Sequence, residues 1–246
     1  MKREIPGSRM SIQAKGAEML FRDRHQAGER LAERLRRIAP AEAIVVALPR
    51  GGVPVGEVIA RELGLPLDVI LVRKVGAPMQ PELAVAAVTD GEKMRLTVNE
   101  DIKAELGLSD SDIEALANKQ LREIERRRAV YYAESAPLPL KEKTVIVVDD
   151  GVATGATANA ALRLIRQHEP TRLILALPVA PAETISELER HADEIVCLST
   201  PHPFRAVGAH YVDFDQVSDH EVVEALRRNR EETMRGQGSV PGGARS

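Results

Sequence analysis

The run Thr144-Val-Ile-Val-Val-Asp-Asp-Gly-Val-Ala-Thr-Gly-Ala-Thr157 constrains this chain more than any other segment. Four consecutive apolar residues, Val145 to Val148, predict a buried strand. Asp149 and Asp150 then stand at that strand's carboxyl end. A loop of small residues, Gly151-Val152-Ala153-Thr154-Gly155-Ala156-Thr157, follows and opens a helix through Asn159, Leu162 and Ile165. Open α/β sheets bind their ligands at such strand ends. A helix start offers unpaired N–H donors and the positive end of a dipole to a phosphate. One segment therefore sets an anion cradle beside two acids, a combination suited to a phosphorylated sugar with free hydroxyls.

Two common phosphate loops do not fit. The ATPase type needs a Lys before its Ser/Thr, and here Ala156 precedes Thr157. The dinucleotide fingerprint needs three spaced glycines, and the loop has Gly151 and Gly155. The order of strand, acid pair and loop ending in Thr-Gly-x-Thr resembles the signature of type I phosphoribosyltransferases. That resemblance implies a loop holding the 5′-phosphate of phosphoribosyl pyrophosphate, and an acid pair holding the ribose 2′- and 3′-hydroxyls. A plain strand-to-helix turn with surface acids is the bland alternative.

Bulk properties narrow the class. A chain of 246 residues fits one large domain, or one domain with an insertion. A net charge of −3 gives no global field favouring nucleic acid, so no DNA partner is expected. The lone cysteine, Cys197, rules out an internal disulfide and a multi-cysteine zinc site. It lies in the apolar-rich run 194–198 and reads as a core filler. No apolar run approaches membrane-spanning length, and the N-terminus lacks the apolar stretch of a secretory signal. A cytoplasmic protein with no membrane partner is the expectation.

The expected fold is a Rossmann-like α/β domain: an open, twisted parallel sheet of about five strands flanked by helices, with a hood and a helical insertion. Residues 1–20 read as a loose segment, 21–230 as the domain and 231–246 as a disordered tail. Strands are expected at Ala43–Leu48, Leu67–Val72, Thr144–Val148, Leu173–Leu177 and Glu194–Leu198. Helices are expected at Arg22–Ile38, Val53–Leu63, after Thr154, at Ala182–His191 and at Asp219–Asn229. The rhythm breaks from about Gly76 to Leu140. There, 84–88 and 94–98 suggest a hairpin around Asp90-Gly91. A long helix from Ser111 to Tyr132 follows, with a capping box at Ser109/Asp112 or Ser111/Glu114.

Other segments carry chemistry. Arg50-Gly51-Gly52 lies after the first strand, where glycines let backbone approach a ligand. The resemblance implies that this is the pyrophosphate loop, with a non-proline cis bond at Arg50–Gly51. Arg73-Lys74 ends the second strand, and two cations there need an anionic partner. By resemblance the pair opens a flexible catalytic loop starting at Val75–Pro81, and Glu82 is a candidate partner for either cation or for the loop. The segment 203–215 holds three of six aromatic residues. By resemblance it is part of a hood over a nucleobase, with Phe204 and Tyr211 the weak candidates for base stacking and core packing the equal alternative. His202 and His210 read as surface or packing residues. Arg122, Arg126, Arg127 and Arg128 read as an exposed face balanced by Glu123 and Glu125, with a basic RNA- or subunit-contacting face as the rival.

The implied reaction is transfer of 5-phosphoribosyl from phosphoribosyl pyrophosphate to a nitrogenous acceptor, a nucleobase by preference, with release of pyrophosphate. Asp149, Asp150, Arg73 and Lys74 would be catalytic, and Mg²⁺ would bind mainly through substrate phosphates. A homodimer is common in the family. Two rivals remain. One is a non-catalytic, regulatory phosphoribosyl-pyrophosphate-binding protein acting on RNA or a protein partner. The other is a phosphatase using Asp149 or Asp150, which would want further metal-binding acids, and only Asp215 offers one.

Overall fold

The computed structural model describes residues 12–13, 20–78, 80–89, 95–133 and 135–237. The turn expected at Asp90-Gly91, the Glu82 side chain and most of both expected loose ends lie outside the described residues. The chain begins with β1 (Ile12–Gln13) and α1 (Arg24–Leu35), then β2 (Ile44–Ala47), α2 (Gly52–Leu63) and β3 (Leu67–Val69). A second unit follows: β4 (Val72–Ala77), β5 (Gln80–Thr89), β6 (Arg95–Val98), α3 (Glu100–Glu105) and α4 (Asp110–Tyr131). The first rhythm resumes with β7 (Thr144–Val148), α5 (Ala156–Gln167), β8 (Arg172–Val179), α6 (Ala182–Leu188) and β9 (Glu194–Ser199), and α7 (Asp219–Gln237) closes it.

The main sheet has the order β1-β9-β8-β7-β2-β3, and every pairing in it is parallel. Its five expected strands are all present, with the short β1 added at one edge. Alternation explains why it is covered on both faces. Val45, Ala47, Ile146, Val148, Ile174 and Val196 share a core with Leu31 and Leu35 of α1, Ile59 of α2 and Leu226 of α7. Their neighbours Ile44, Val46, Val145, Val147, Leu173 and Cys197 face the other way, onto Leu162 and Ile165 of α5 and Ile185 of α6. Cys197 is buried, as its apolar setting predicts, and burial pushes its thiol up to about 12.

The edge at β3 is finished by a side chain. Asn229 of α7 accepts from the Leu67 N–H at 2.7 Å and donates to the Leu65 carbonyl at 3.0 Å. It supplies what a further strand would otherwise supply. The helix carrying it continues past Asn229 to Gln237, into positions expected to belong to the tail.

One expectation is corrected here. Arg73 and Lys74 do not end the second parallel strand, which stops at Val69. They lie on β4, which pairs antiparallel with β5 (Arg73↔Val88, Lys74↔Ala87). β5 in turn pairs with β6. The run 67–72 is apolar but for Asp68, and periodicity alone cannot show where such a run leaves one sheet for another. At the start of α4 the Ser109/Asp112 capping box is the one that forms. The Ser109 hydroxyl accepts from the Asp112 N–H, and the Asp112 carboxylate accepts from the Ser109 N–H at 2.9 Å. Ser111 lies inside the helix.

Candidate active site

Two loops meet at the carboxyl ends of β2 and β7. The Leu48 N–H donates to the Val148 carbonyl at 2.8 Å and holds the two strand ends together. Beyond them, Gly51 and Gly52 run against the acids. A Cβ on Gly51 would stand 2.1 Å from Asp150 Oδ2, and one on Gly52 would stand 2.6 Å from the Val148 carbonyl. A side chain at Gly52 would meet backbone, and one at Gly51 would have to displace the Asp150 carboxylate. The cis peptide lies one bond earlier than expected, between Pro49 and Arg50. Gly51 already has helical angles (φ −60°, ψ −35°) as the N-cap of α2, so the turn out of β2 is completed before it.

Asp149 and Asp150 sit side by side, and the Asp150 N–H donates to Asp149 Oδ1 at 2.9 Å. Burial, then the charge on Asp150, holds Asp149 well above the usual carboxylate range. Burial also raises Asp150, although a cation opposes the effect. That cation is Arg24 of α1. Its Nε donates to Asp150 Oδ2 at 2.8 Å, with the two side chains only 11% and 13% exposed. Its other contacts are to the hood segment: a hydrogen bond to the Asp215 carbonyl at 2.8 Å, and the Phe214 ring 3.9 Å from the guanidinium carbon. Sequence reasoning missed Arg24. Nothing local distinguishes it from the other arginines of an amphipathic helix, and only the fold brings it to the acids.

The loop after β7 is braced from several sides. The Thr184 hydroxyl of α6 donates to the Ala153 carbonyl at 2.7 Å. Gly155 caps α5 with φ +77°, and Gly151 has φ +148° with the Val207 and Val179 side chains closing on it. The Val152 N–H donates to the Val179 carbonyl at 3.0 Å, and its side chain is buried, so both are taken up in shaping the loop. The N–H groups of Ala153, Thr154 and Gly155 have no hydrogen-bond partner among the described residues. Those of Ala156 and Thr157 open the first turn of α5, where a helix leaves its amides unpaired.

Arg50, Arg73 and Lys74 come together along a cleft of about 690 Å³ that reaches Thr157. Its other wall is α4, through Leu116, Lys119, Gln120 and Arg127. Burial, then the neighbouring Arg127 charge, lowers Arg73, and Glu123 partly offsets this from 3.5 Å. Glu123 also pairs with Arg126 and Arg127 at 2.9 and 2.8 Å and is held down to about 2, chiefly by Arg126. The arginine run on α4 is therefore not one solvated face. Arg127 is 9% exposed and lines the cleft, Arg126 reaches Asp219 of α7 at 2.7 Å, and Arg122 faces solvent.

The aromatic expectations separate. Tyr211 is 6% exposed, rests 5.4 Å from Phe21 and 5.0 Å from Phe214, and donates its hydroxyl to the Asp150 carbonyl at 2.5 Å. It buttresses the acid loop and has little surface left for a base, which corrects the stacking expectation. Phe204 is half-buried and stacks on His210 at 5.5 Å. His210 is buried and His202 exposed, as packing and surface residues. Asp215 is exposed, and what it offers Arg24 is its carbonyl. No helix among the described residues is long and apolar enough to cross a membrane.

The chain is similar to known proteins. The family model described as a phosphoribosyl transferase domain matches residues 18–213. A protein of Mycobacterium tuberculosis (strain H37Rv) that carries the provisional name of a phosphoribosyl transferase is 43% identical over 209 residues, covering 85% of this chain and 47% of that protein. The chain thus spans about half the length of the curated relatives it matches. The crystal structure of TT1426 from Thermus thermophilus superposes with a TM-score of 0.74 at 43% identity, covering 85% of this chain and 99% of that one. The uracil phosphoribosyltransferase of Clostridioides difficile (strain 630) is 28% identical over 107 residues, 41% of this chain and 51% of that enzyme. With both strand-end loops and the acid pair inside the matched region, this chain belongs to the phosphoribosyl transferase domain family.

Proposed function

We propose that this protein transfers the 5-phosphoribosyl group of phosphoribosyl pyrophosphate to a nitrogenous acceptor, in first place a nucleobase, and releases pyrophosphate. The observation that carries this reading is the contact of the two strand-end loops. The acid pair sits directly against Gly51 and Gly52, with free amides on one side and a cationic cleft on the other. The free amides from Ala153 to Thr157 and the Thr154 and Thr157 hydroxyls hold the 5′-phosphate. Asp149 and the free oxygen of Asp150 accept from the ribose hydroxyls. As the C1–O bond breaks, the sugar gains oxocarbenium character, and the neighbouring carboxylates stabilise that positive charge. Arg50, Arg73 and Lys74 hold the departing diphosphate.

Among the described residues, no group of three or more His, Cys, Asp or Glu side chains is placed to hold a metal. Mg²⁺ carried by the diphosphate and its waters needs no such group, and Asp149 and Asp150 could take hydrogen bonds from those waters. When bound, the ion would neutralise charge on the leaving group.

The test is pyrophosphate release from phosphoribosyl pyrophosphate and Mg²⁺ with a panel of purine and pyrimidine bases, alongside calorimetry of the donor. Donor binding with turnover on one base class is expected, and Asp149→Asn with Asp150→Asn should abolish turnover in a folded protein. Absence of donor binding by the folded wild-type chain sinks the reading.

A further inference from the structure

On the reading of this site as a phosphoribosyl-pyrophosphate pocket, we infer that Lys119 and Arg127 of α4 bind the donor's diphosphate, so that the helical insertion builds part of the leaving-group site. The helix presents Leu116, Lys119, Gln120 and Arg127 to the cleft. Their spacing of three, four and seven residues is that of a single helical stripe. Opposite them stand Arg50 and the strand carrying Arg73 and Lys74. Five of the described lining residues are thus cationic, and none is acidic.

Among the described residues, Glu123 and Asp219 are the acids that meet the arginines of this wall, and Asp219 pairs with Arg126 at 2.7 Å. Glu123 is shared among Arg73, Arg126 and Arg127. Lys119 has no ion pair among the described residues. Arg127, at 9% exposed, is a buried guanidinium whose acidic neighbour serves two other arginines. Burying cations together is unfavourable unless an anion joins them. The downward push of burial and Arg127 on Arg73 has the same origin.

The chemistry of the missing anion follows from the donors. A guanidinium fork matches paired oxygens, and a lysine ammonium adds a point charge. A diphosphate presents several oxygens to such a set, and Arg50 places it at the end of the cleft formed by the glycine loop. The rigid α4 stripe would then do, from a fixed position, what a loop closing over the leaving group would otherwise do.

The experiment uses the full chain and calorimetry with three probes: phosphoribosyl pyrophosphate with Mg²⁺, inorganic pyrophosphate with Mg²⁺, and ribose 5-phosphate. Failure of the wild type to bind phosphoribosyl pyrophosphate defeats the functional reading itself. Given wild-type binding, Lys119→Gln and Arg127→Gln should each weaken both diphosphate probes by about tenfold or more, the scale of one lost charge-assisted contact. Ribose 5-phosphate should change less than about twofold, since the chemistry at its phosphate is untouched. Arg122→Gln removes the same charge from the solvent face of α4 and should leave all three affinities in place. Lys119 is exposed, so its variant should fold even if the Arg127 variant does not. Wild-type diphosphate affinity in a folded variant overturns the role of that residue. An equal loss for ribose 5-phosphate overturns the diphosphate assignment.

Discussion

Arg24 and Asp150, 126 positions apart in the chain, form a 2.8 Å ion pair at the edge of the acid site. The pair ties α1 and, through the Asp215 carbonyl and the Phe214 ring, the hood segment to one oxygen of the acid pair. It therefore orients Asp150 and opposes the burial that raises its pKa.

Removing that cation leaves Asp150 with the burial that resists its charge and without the largest effect opposing it. Arg24→Gln should move the acidic limb of kcat/KM to higher pH. It should also lower stability at neutral pH by about 3 kcal/mol, as expected when one partner of a mostly buried pair is lost. A pH–rate profile and urea unfolding measure the two effects. An unmoved acidic limb would show that Arg24 does not govern Asp150.

Asp149 and Asp150 both have folded-state pKa values above the ordinary carboxylate range. The unfolded chain then releases these protons at lower pH than the folded one. Their contribution to stability is greatest below the ordinary range, and it falls as pH rises through the raised folded values. Asp149→Asn keeps an acceptor for the Asp150 N–H and removes one charge. It should raise the melting midpoint at neutral pH, by roughly 2–4 °C per kcal/mol recovered, while turnover is lost. Thermal scans at pH 5 and pH 8 should show the gain growing with pH, and a gain independent of pH would contradict the argument.

Gly51→Ala places a methyl group 2.1 Å from Asp150 Oδ2. The φ of −60° accepts alanine, so the conflict is one of space alone. The carboxylate must shift, and kcat/KM should fall by roughly a hundredfold, the scale of a 1 Å misplacement. The cost in stability should stay at about 1–3 kcal/mol. Steady-state kinetics with a matched unfolding curve checks both, and near-normal kinetics would mean that the contact is not held in solution.

Asn229→Ala leaves the Leu67 N–H and the Leu65 carbonyl unpaired in a buried place. Each unpaired group costs about 1–3 kcal/mol, so a loss of roughly 3 kcal/mol is expected in denaturant unfolding. The site lies at the start of β3, away from the strand ends that hold the acids, so KM for the donor should not change. A stability loss under about 1 kcal/mol would mean that water replaces the amide.

Local chemistry carried much of this protein into view. Four apolar residues, two acids and a small-residue loop at 145–157 can form little else than a buried strand, a strand-end site and a helix start. The same logic located the five main strands and the long helix and narrowed its cap to Ser109/Asp112 or Ser111/Glu114, since each depends on residues within a few positions of one another. Tertiary structure decided the rest. It moved Arg73 and Lys74 onto an antiparallel strand, because an apolar run does not record which sheet it joins. It turned Arg127 into the cleft and left Arg122 in solvent, because helical position fixes a face while packing fixes what that face meets. It took Tyr211 into the core and brought Arg24 to Asp150, because the contacts between those groups exist only once distant segments share one site.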